Sequence, residues 1–459
     1  MRLRVFRIMS KKKKKKKKAT AKHAASGTQI SLKNTYNSTV DIPIAEDILA
    51  AVPGFLMCMM IAVILVCDVL LLDMDEIQYD LFQQIFRIID PVIAVTGAIY
   101  LIRSIYTKRI TTAGIKRRPA VLFFAAFAAL IIVSTCVNGF SKEAVHGIPY
   151  RDIGVFTMLS FILMYMGVSS NIYRDSLKNV ILVGYMAVAD AVGLAVLYDR
   201  YASYVAAFHE KKELSAVFFN GNHYGYFLVM AVLISIGWFV YGKSGKIRAA
   251  GAISAALNAV LLVINHSMGC IVAVIVVFAI MAVDVLIREK DKRKRLAVLV
   301  IAAAAGMTAS LILSTDLRDE FIELTSDAAA VLSGSVSGSA GHNRMMLWET
   351  TWKFVKHRPL LGYGCEGIST RLFAATERSN PHNEILTYAA YYGIPAAACY
   401  LLGVIAVFIG CFKRKKTLSA AARLACMAAA GYFISSITGV AMFYSAPFFF
   451  IFLGMTAEG

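Results

Sequence analysis

The chain has 459 residues, of which 58% are hydrophobic and only 17% charged, and its formal net charge is +19. That mix is far from a soluble globular chain and indicates an integral membrane protein. The charge does not point to nucleic acid, because a lysine run from Lys11 to Lys18 supplies much of it without aromatic or motif context.

The first 45 residues contain no early apolar core, which excludes a cleavable signal peptide. Residues 1–45 are expected to be a disordered basic cytoplasmic tail that touches anionic lipid head groups, and Met9 offers a second start. About twelve apolar segments follow, each long enough to cross a ~30 Å hydrocarbon core as a helix. They lie near 48–72, 88–106, 119–137, 152–169, 178–197, 224–241, 248–265, 268–287, 296–314, 394–412, 419–440 and 442–457. Segments this continuous do not alternate at period two, as barrel strands do. The predicted fold class is therefore all-α, a polytopic membrane helical bundle of about 12 transmembrane helices. Its expected organisation is a transmembrane bundle over 46–314, an extracytoplasmic loop of short helices over 315–393 and three C-terminal spans over 394–459.

Basic connections occupy every second gap: "TKRITTAGIKRR", "GKSGKIR", "REKDKRKR" and "KRKK". Lys and Arg are retained on the cytoplasmic side, so those gaps and both termini are expected inside and the long loop outside. The eight Cys are scattered, nearly all within spans, with only Cys365 in the long loop; they form neither a disulfide framework nor a zinc pattern. No internal repeat is evident, which counts against a transporter built from duplicated halves.

The long loop opens with "STDLRDEFIELTSD", an amphipathic pattern with Leu317, Phe321, Leu324 and Ala328 on one face and Asp316, Glu320, Glu323 and Asp327 on another. A solvated surface helix explains those carboxylates better than a divalent-cation site. "SGSVSGSAG" is expected to be a flexible connector. A helix follows from about Asn343 to His357, with Arg344, Leu347, Trp348, Thr351, Trp352, Phe354 and Val355 on one side and Glu349, Lys353 and Lys356 on the other. Arg344 in that apolar arc needs an anionic partner, either a carboxylate such as Asp190 or a bound phosphate.

Pro359, Gly362 and Gly364 in "HRPLLGYGCEG" end that helix in a tight turn. In "NPHNEILTYAAYYGIP", Asn380 reads as an N-cap with Pro381 at the first helical position and His382 and Asn383 in the first turn. A His at such an end is held neutral and able to take a proton, although capping is its commoner role. Gly393-Ile394-Pro395 breaks that helix and begins the next span.

The ordered set R-x-x-x-W, H-R-P-L-L-G-Y-G, P-H-N-E and G-I-P before a span resembles the O-antigen ligase and polysaccharide polymerase family of bacterial membrane glycosyltransferases. The motif-bearing resemblance covers about residues 341 to 412, and "FFNGNHYGYFL" from Phe218 to Leu228 resembles the family's Asn-containing mid-chain stretch. The resemblance implies transfer of a glycan from undecaprenyl pyrophosphate to a glycan, lipid, wall polymer or protein at the outer face of the bacterial cytoplasmic membrane. It implies Arg344 as a pyrophosphate contact and His382 as the essential His. The candidate site comprises His382 and Arg344 as catalytic residues, with substrate contacts from Arg344, Asn383, Trp348, Asn220, Asn222, Arg371 and Arg378. At the place where the family has Ser-Arg-Gly, this chain has Ser267-Met268-Gly269, which leaves His266, Arg371 or Arg378 as substitutes for the second Arg.

Displacement at the anomeric carbon needs cationic and backbone donors at the leaving pyrophosphate and a positioned base, with inversion of configuration. No cofactor is expected and no D-x-D pair offers a metal site, while Cys365 lacks an evident activating base. Ligase and polymerase readings stay open. The reading from another class, a lipid-linked saccharide flippase, calls for several charges within spans, where only isolated ones such as Asp68 and Asp190 occur.

Overall fold

The computed structural model describes residues 44–71, 77–106, 118–148, 151–171, 174–206, 218, 221–313, 315–333 and 344–456. The N-terminal lysine tail and the Gly/Ser connector lie outside the described residues. Among the described residues all regular structure is helical. In chain order the helices are α1 (Ile44–Leu71), α2 (Ile77–Tyr106), α3 (Pro119–Asn138), α4 (Lys142–His146), α5 (Val155–Asn171) and α6 (Asp175–Ala206). There follow α7 (Gly221–Tyr241), α8 (Gly245–Ile264), α9 (Met268–Arg288), α10 (Arg293–Leu313), α11 (Thr315–Ser333) and α12 (Arg344–His357). The last are α13 (Gly364–Thr376), α14 (Glu384–Tyr392), α15 (Ile394–Lys413), α16 (Ala420–Ser436) and α17 (Ala446–Met455).

Every segment expected to span contains a helix, but among the described residues 7 helices are long and apolar enough to cross a membrane alone. They are α3, α7, α8, α9, α15 and the apolar stretches Asp80–Arg103 of α2 and Asp175–Tyr198 of α6. The final two expected spans are shorter than their apolar sequence suggests, since α16 has 17 residues and α17 has 10. At 1.5 Å per residue these reach ~26 and ~15 Å, short of a ~30 Å core. The non-helical backbone between them is buried from Gly439 to Ser445, and irregular backbone at membrane depth is tolerated only inside protein. A uniformly apolar stretch carries no periodic signal for such a break.

Residues Asp47–Gly459 form one compact unit. Its axis is α7, almost wholly buried among α6, α8, α9 and α16. Lipid is as apolar as a core side chain, so packing rather than the hydrophobic effect holds such helices together. Here aromatic contacts supply much of it: Tyr185 meets Phe227 and Phe448 at 4.6 Å each, and Phe124 meets Tyr165 at 4.7 Å. α17, whose residues are all buried, is the plug against which several of these rings pack.

The two ends of the bundle differ chemically. At one end Arg423 Nη1 meets Glu289 Oε1 at 2.8 Å and Arg295 Nη1 donates to Val240 O at 2.6 Å, so the turns following α7, α9 and α15 gather there with their basic residues. The starts of α7, α9 and α15 therefore lie at the other end, with the α12–α14 segment.

Candidate functional site

α12 presents Leu347, Thr351 and Val355 inward, while Lys353 and Glu349 pair at 3.0 Å on the exposed face. Trp352 departs from the expected inward arc and is 44% exposed, a placement suited to an amphipathic ring at the membrane–water boundary. The turn after α12 is clasped to the end of α14. Tyr363 N donates to Ala390 O at 3.0 Å and Ile394 N to Pro359 O at 2.7 Å, while Ser134 Oγ of α3 donates to Leu361 O at 2.6 Å. Two glycines make the clasp: Gly362 has φ 61 and a Cβ there would come within 2.5 Å of Tyr391 O, and Gly393 has φ 95 with Leu360 O against the same position. The H-R-P-L-L-G-Y-G and G-I-P motifs thus meet in space and lock α12, which carries Arg344, against α14, which His382 precedes.

Around His382 the helix start differs from the sequence expectation. α14 begins at Glu384 with Asn383 as its N-cap, whose side chain accepts from Leu386 N at 2.9 Å. Asn380 instead accepts the His382 N–H at 2.7 Å through Oδ1, and His382 takes a left-handed backbone with φ 51. A side-chain-to-backbone turn of this kind competes with helix formation and places His382 before the helix rather than in its first turn. Asn383, expected to touch substrate, uses its Oδ1 for the cap.

Two further bonds tether this loop. Trp348 Nε1 donates to Pro381 O at 2.9 Å, so the R-x-x-x-W motif steadies the His loop directly. Arg151, in the turn before α5, donates to Ser379 O at 3.3 Å and to Ser379 Oγ at 2.9 Å.

Burial holds the His382 imidazolium down to about 4, aided in order by the charges of Arg344, Arg151 and Arg378. The ring is therefore neutral at physiological pH. Among the described residues none of these three guanidiniums pairs with a carboxylate. Asp190 is not the partner of Arg344, because its Oδ1 accepts from Ser254 Oγ and Asn258 Nδ2 at 2.7 Å each. Glu384, next to the cap, accepts at Oε1 from the Tyr388 and Tyr400 hydroxyls at 2.8 and 2.7 Å; its Oε2 is buried without a hydrogen-bond partner among the described residues, and burial raises its carboxyl above the usual range. Arg151, Asn380 and Glu384 share the wall of a cavity of about 20 Å³.

The other expected residues divide. Arg378 joins the charges acting on His382, whereas Arg371 stacks on Tyr363 at 5.0 Å, with Arg358 at 4.8 Å from the same ring. Asn222, at the start of α7, accepts from Ser267 Oγ at 3.3 Å, and Asn220 lies outside the described residues. Cys365 is buried, donates to Glu143 O at 2.9 Å and has its thiol pushed up to about 12 by burial, which removes it as a nucleophile. Sequence reading missed Arg151 and His223. His223 Nδ1 lies 2.6 Å from the Tyr444 hydroxyl and within the field of Arg151. A signal for Arg151 existed, since it stands in "IPYRDIG", a gap outside the basic alternation where an Arg is unexpected.

An all-helical bundle with spanning helices defines a multi-pass membrane protein, and beside its neutral imidazole stand three guanidiniums that no carboxylate of the described residues pairs with. Residues 253–401 match the family described as O-Antigen ligase, a stretch that contains Arg344, Trp348 and His382. The chain is O-antigen ligase-like over that region, a family of membrane glycosyltransferase-type enzymes. No curated protein matches the chain.

Proposed function

We propose that the protein transfers a saccharide from undecaprenyl pyrophosphate to an acceptor hydroxyl at the outer face of the bacterial cytoplasmic membrane. The observation that carries this reading is the convergence on one neutral imidazole of three carboxylate-free guanidiniums, of which Arg344 and Arg378, with His382 itself, lie in the ligase-like region. A pyrophosphate leaving group develops charge as the glycosidic bond breaks, and fixed cations in a water-poor site stabilise that charge. Arg344, with its planar fork, takes the pyrophosphate. His382 takes the acceptor proton as the hydroxyl attacks the anomeric carbon from the opposite side, inverting it.

The same charges that favour pyrophosphate disfavour an imidazolium, so His382 is a weak base until the anionic donor offsets the guanidiniums. Donor binding thereby readies the base, and acceptor deprotonation follows it. The gathering of basic turns at the opposite end of the bundle supports an outward-facing site. Whether glycan, lipid, wall polymer or protein receives the saccharide is decided by acceptor contacts outside this cluster.

The test uses purified protein in nanodiscs with a lipid-linked oligosaccharide donor, scoring donor binding and product separately. His382→Ala should bind donor and lose transfer by ~10²–10⁴-fold. Arg344→Lys, at normal abundance, should lose donor affinity and most transfer because it keeps charge without the fork. Wild-type transfer by both variants would exclude the assignment.

A further inference from the structure

Arg151 is not in the ligase-like region, yet it is built into the site. Its Nη1 and Nη2 each reach Ser379, one residue before Asn380, whose side chain holds the His382 backbone. A guanidinium has five N–H donors. Among the described residues Arg151 makes no further hydrogen bond, so the remainder of its fork is open. The adjacent carboxylate does not neutralise it: Asp152 accepts from Gln83 Nε2 at 2.6 and 2.8 Å and pairs with Arg87 at 3.2 Å, all on α2. The charge of Arg151 instead reaches two imidazoles, His382 from the loop and His223 from the start of α7. Among the described residues the carboxyl on the shared cavity wall is Glu384, which accepts from two tyrosines through Oε1, leaves Oε2 without a partner and is pushed by burial toward its uncharged form.

We propose that Arg151 is a second cationic contact to the donor's pyrophosphate, supplied from the turn before α5 and additional to Arg344; this rests on the transfer reading above. One guanidinium fork matches one phosphoryl group, and a pyrophosphate presents two. Because Arg151 also holds Ser379, pyrophosphate binding and placement of the His382 loop are coupled through one side chain.

The experiment measures binding of undecaprenyl pyrophosphate and of undecaprenyl monophosphate to the full chain in nanodiscs. Arg151→Gln should bind the pyrophosphate at least about tenfold more weakly and lose most of its preference over the monophosphate, with Arg151→Lys between it and wild type. A role confined to loop support weakens both lipids in parallel, and that result overturns the proposal, as does wild-type pyrophosphate affinity in both variants. If Arg151→Gln does not reach the membrane, Arg151→Lys decides alone, an undiminished preference for pyrophosphate counting against the contact. Arg344→Lys measured alongside separates the two failures. Wild-type pyrophosphate binding by Arg344→Lys sinks the transfer reading, whereas loss there with none in the Arg151 variants sinks only the second contact.

Discussion

Removing the charge of Arg344 should make His382 easier to protonate. In the folded chain the ring protonates at about 4, with burial the first cause and Arg344 the second. Against an ordinary His near 6.5, that displacement corresponds to ~3 kcal/mol, reduced somewhat because the ring is only part-buried and solvent screens it. Arg344→Gln removes one nearby cation and leaves burial, Arg151 and Arg378 in place, so the midpoint should rise by about one pH unit, equivalent to ~1.4 kcal/mol. The sign of the stability effect follows. As pH falls through 6.5 the unfolded chain takes up a proton that the folded chain refuses until about 4. The contribution is complete above 6.5, declines across that window and is gone below it.

The assay is a histidine-selective NMR titration of wild type and Arg344→Gln in detergent, with His382→Gln to assign the resonance, and a thermal melt at each pH. Acid destabilisation between 6.5 and 4 should be shallower in Arg344→Gln. A wild-type midpoint near 6.5, or one unmoved by Arg344→Gln, would refute the claim that these charges hold the imidazole neutral. Added undecaprenyl pyrophosphate should raise the wild-type midpoint, because its negative charge opposes the guanidiniums.

Trp348→Phe keeps the ring and loses the bond to Pro381 O, so it should cost ~0.5–1.5 kcal/mol in a melt and lower transfer severalfold with donor affinity little changed. Gly393→Ala forces a side chain into a left-handed backbone against Leu360 O and should cost ~1–3 kcal/mol or more, read as a lower melting temperature and yield. In a Cys-free background, Glu366→Cys should react with an impermeant thiol reagent in intact cells and Lys290→Cys should not, both positions being exposed at opposite ends of the bundle; the reverse pattern overturns the orientation.

The sequence carried the motifs further than it carried their roles. Arg344, Trp348 and His382 were legible because each is an unexpected residue in a local pattern: an Arg in an apolar arc, a Trp one turn on, a His beside a Pro. Roles decided by tertiary contact were not. In Asn380-Pro381-His382-Asn383, Asn380 with Pro381 behind it matches the local rule for an N-cap. The structure chooses Asn383, because Asn380 is held by the bond to the His382 N–H and Trp348 fixes Pro381 O from another helix. Arg151 and His223 come from turns far along the chain, and no periodicity relates them to His382.

That division accounts for the polar island in an otherwise apolar chain. An imidazole held neutral beside three cations needs both partial burial and a fixed backbone, and a loop at a membrane surface supplies neither by itself. The clasp between Pro359–Tyr363 and Ala390–Ile394 supplies rigidity, with two glycines at positive φ where backbones approach too closely for any Cβ. Tyr400 anchors Glu384 at the start of α14 from α15, with Tyr388 of α14 on the same oxygen, and Trp348 and Arg151 hold the loop from the other sides. Glycines, prolines and aromatics in these motifs therefore act on the chemistry through position, while the charge that acts on His382 comes from Arg344, Arg151 and Arg378. Reversing the charge of Arg344 should alter the protonation of His382 without moving the loop, reversing that of Arg151 should do both, and breaking the clasp should move the loop without altering those charges.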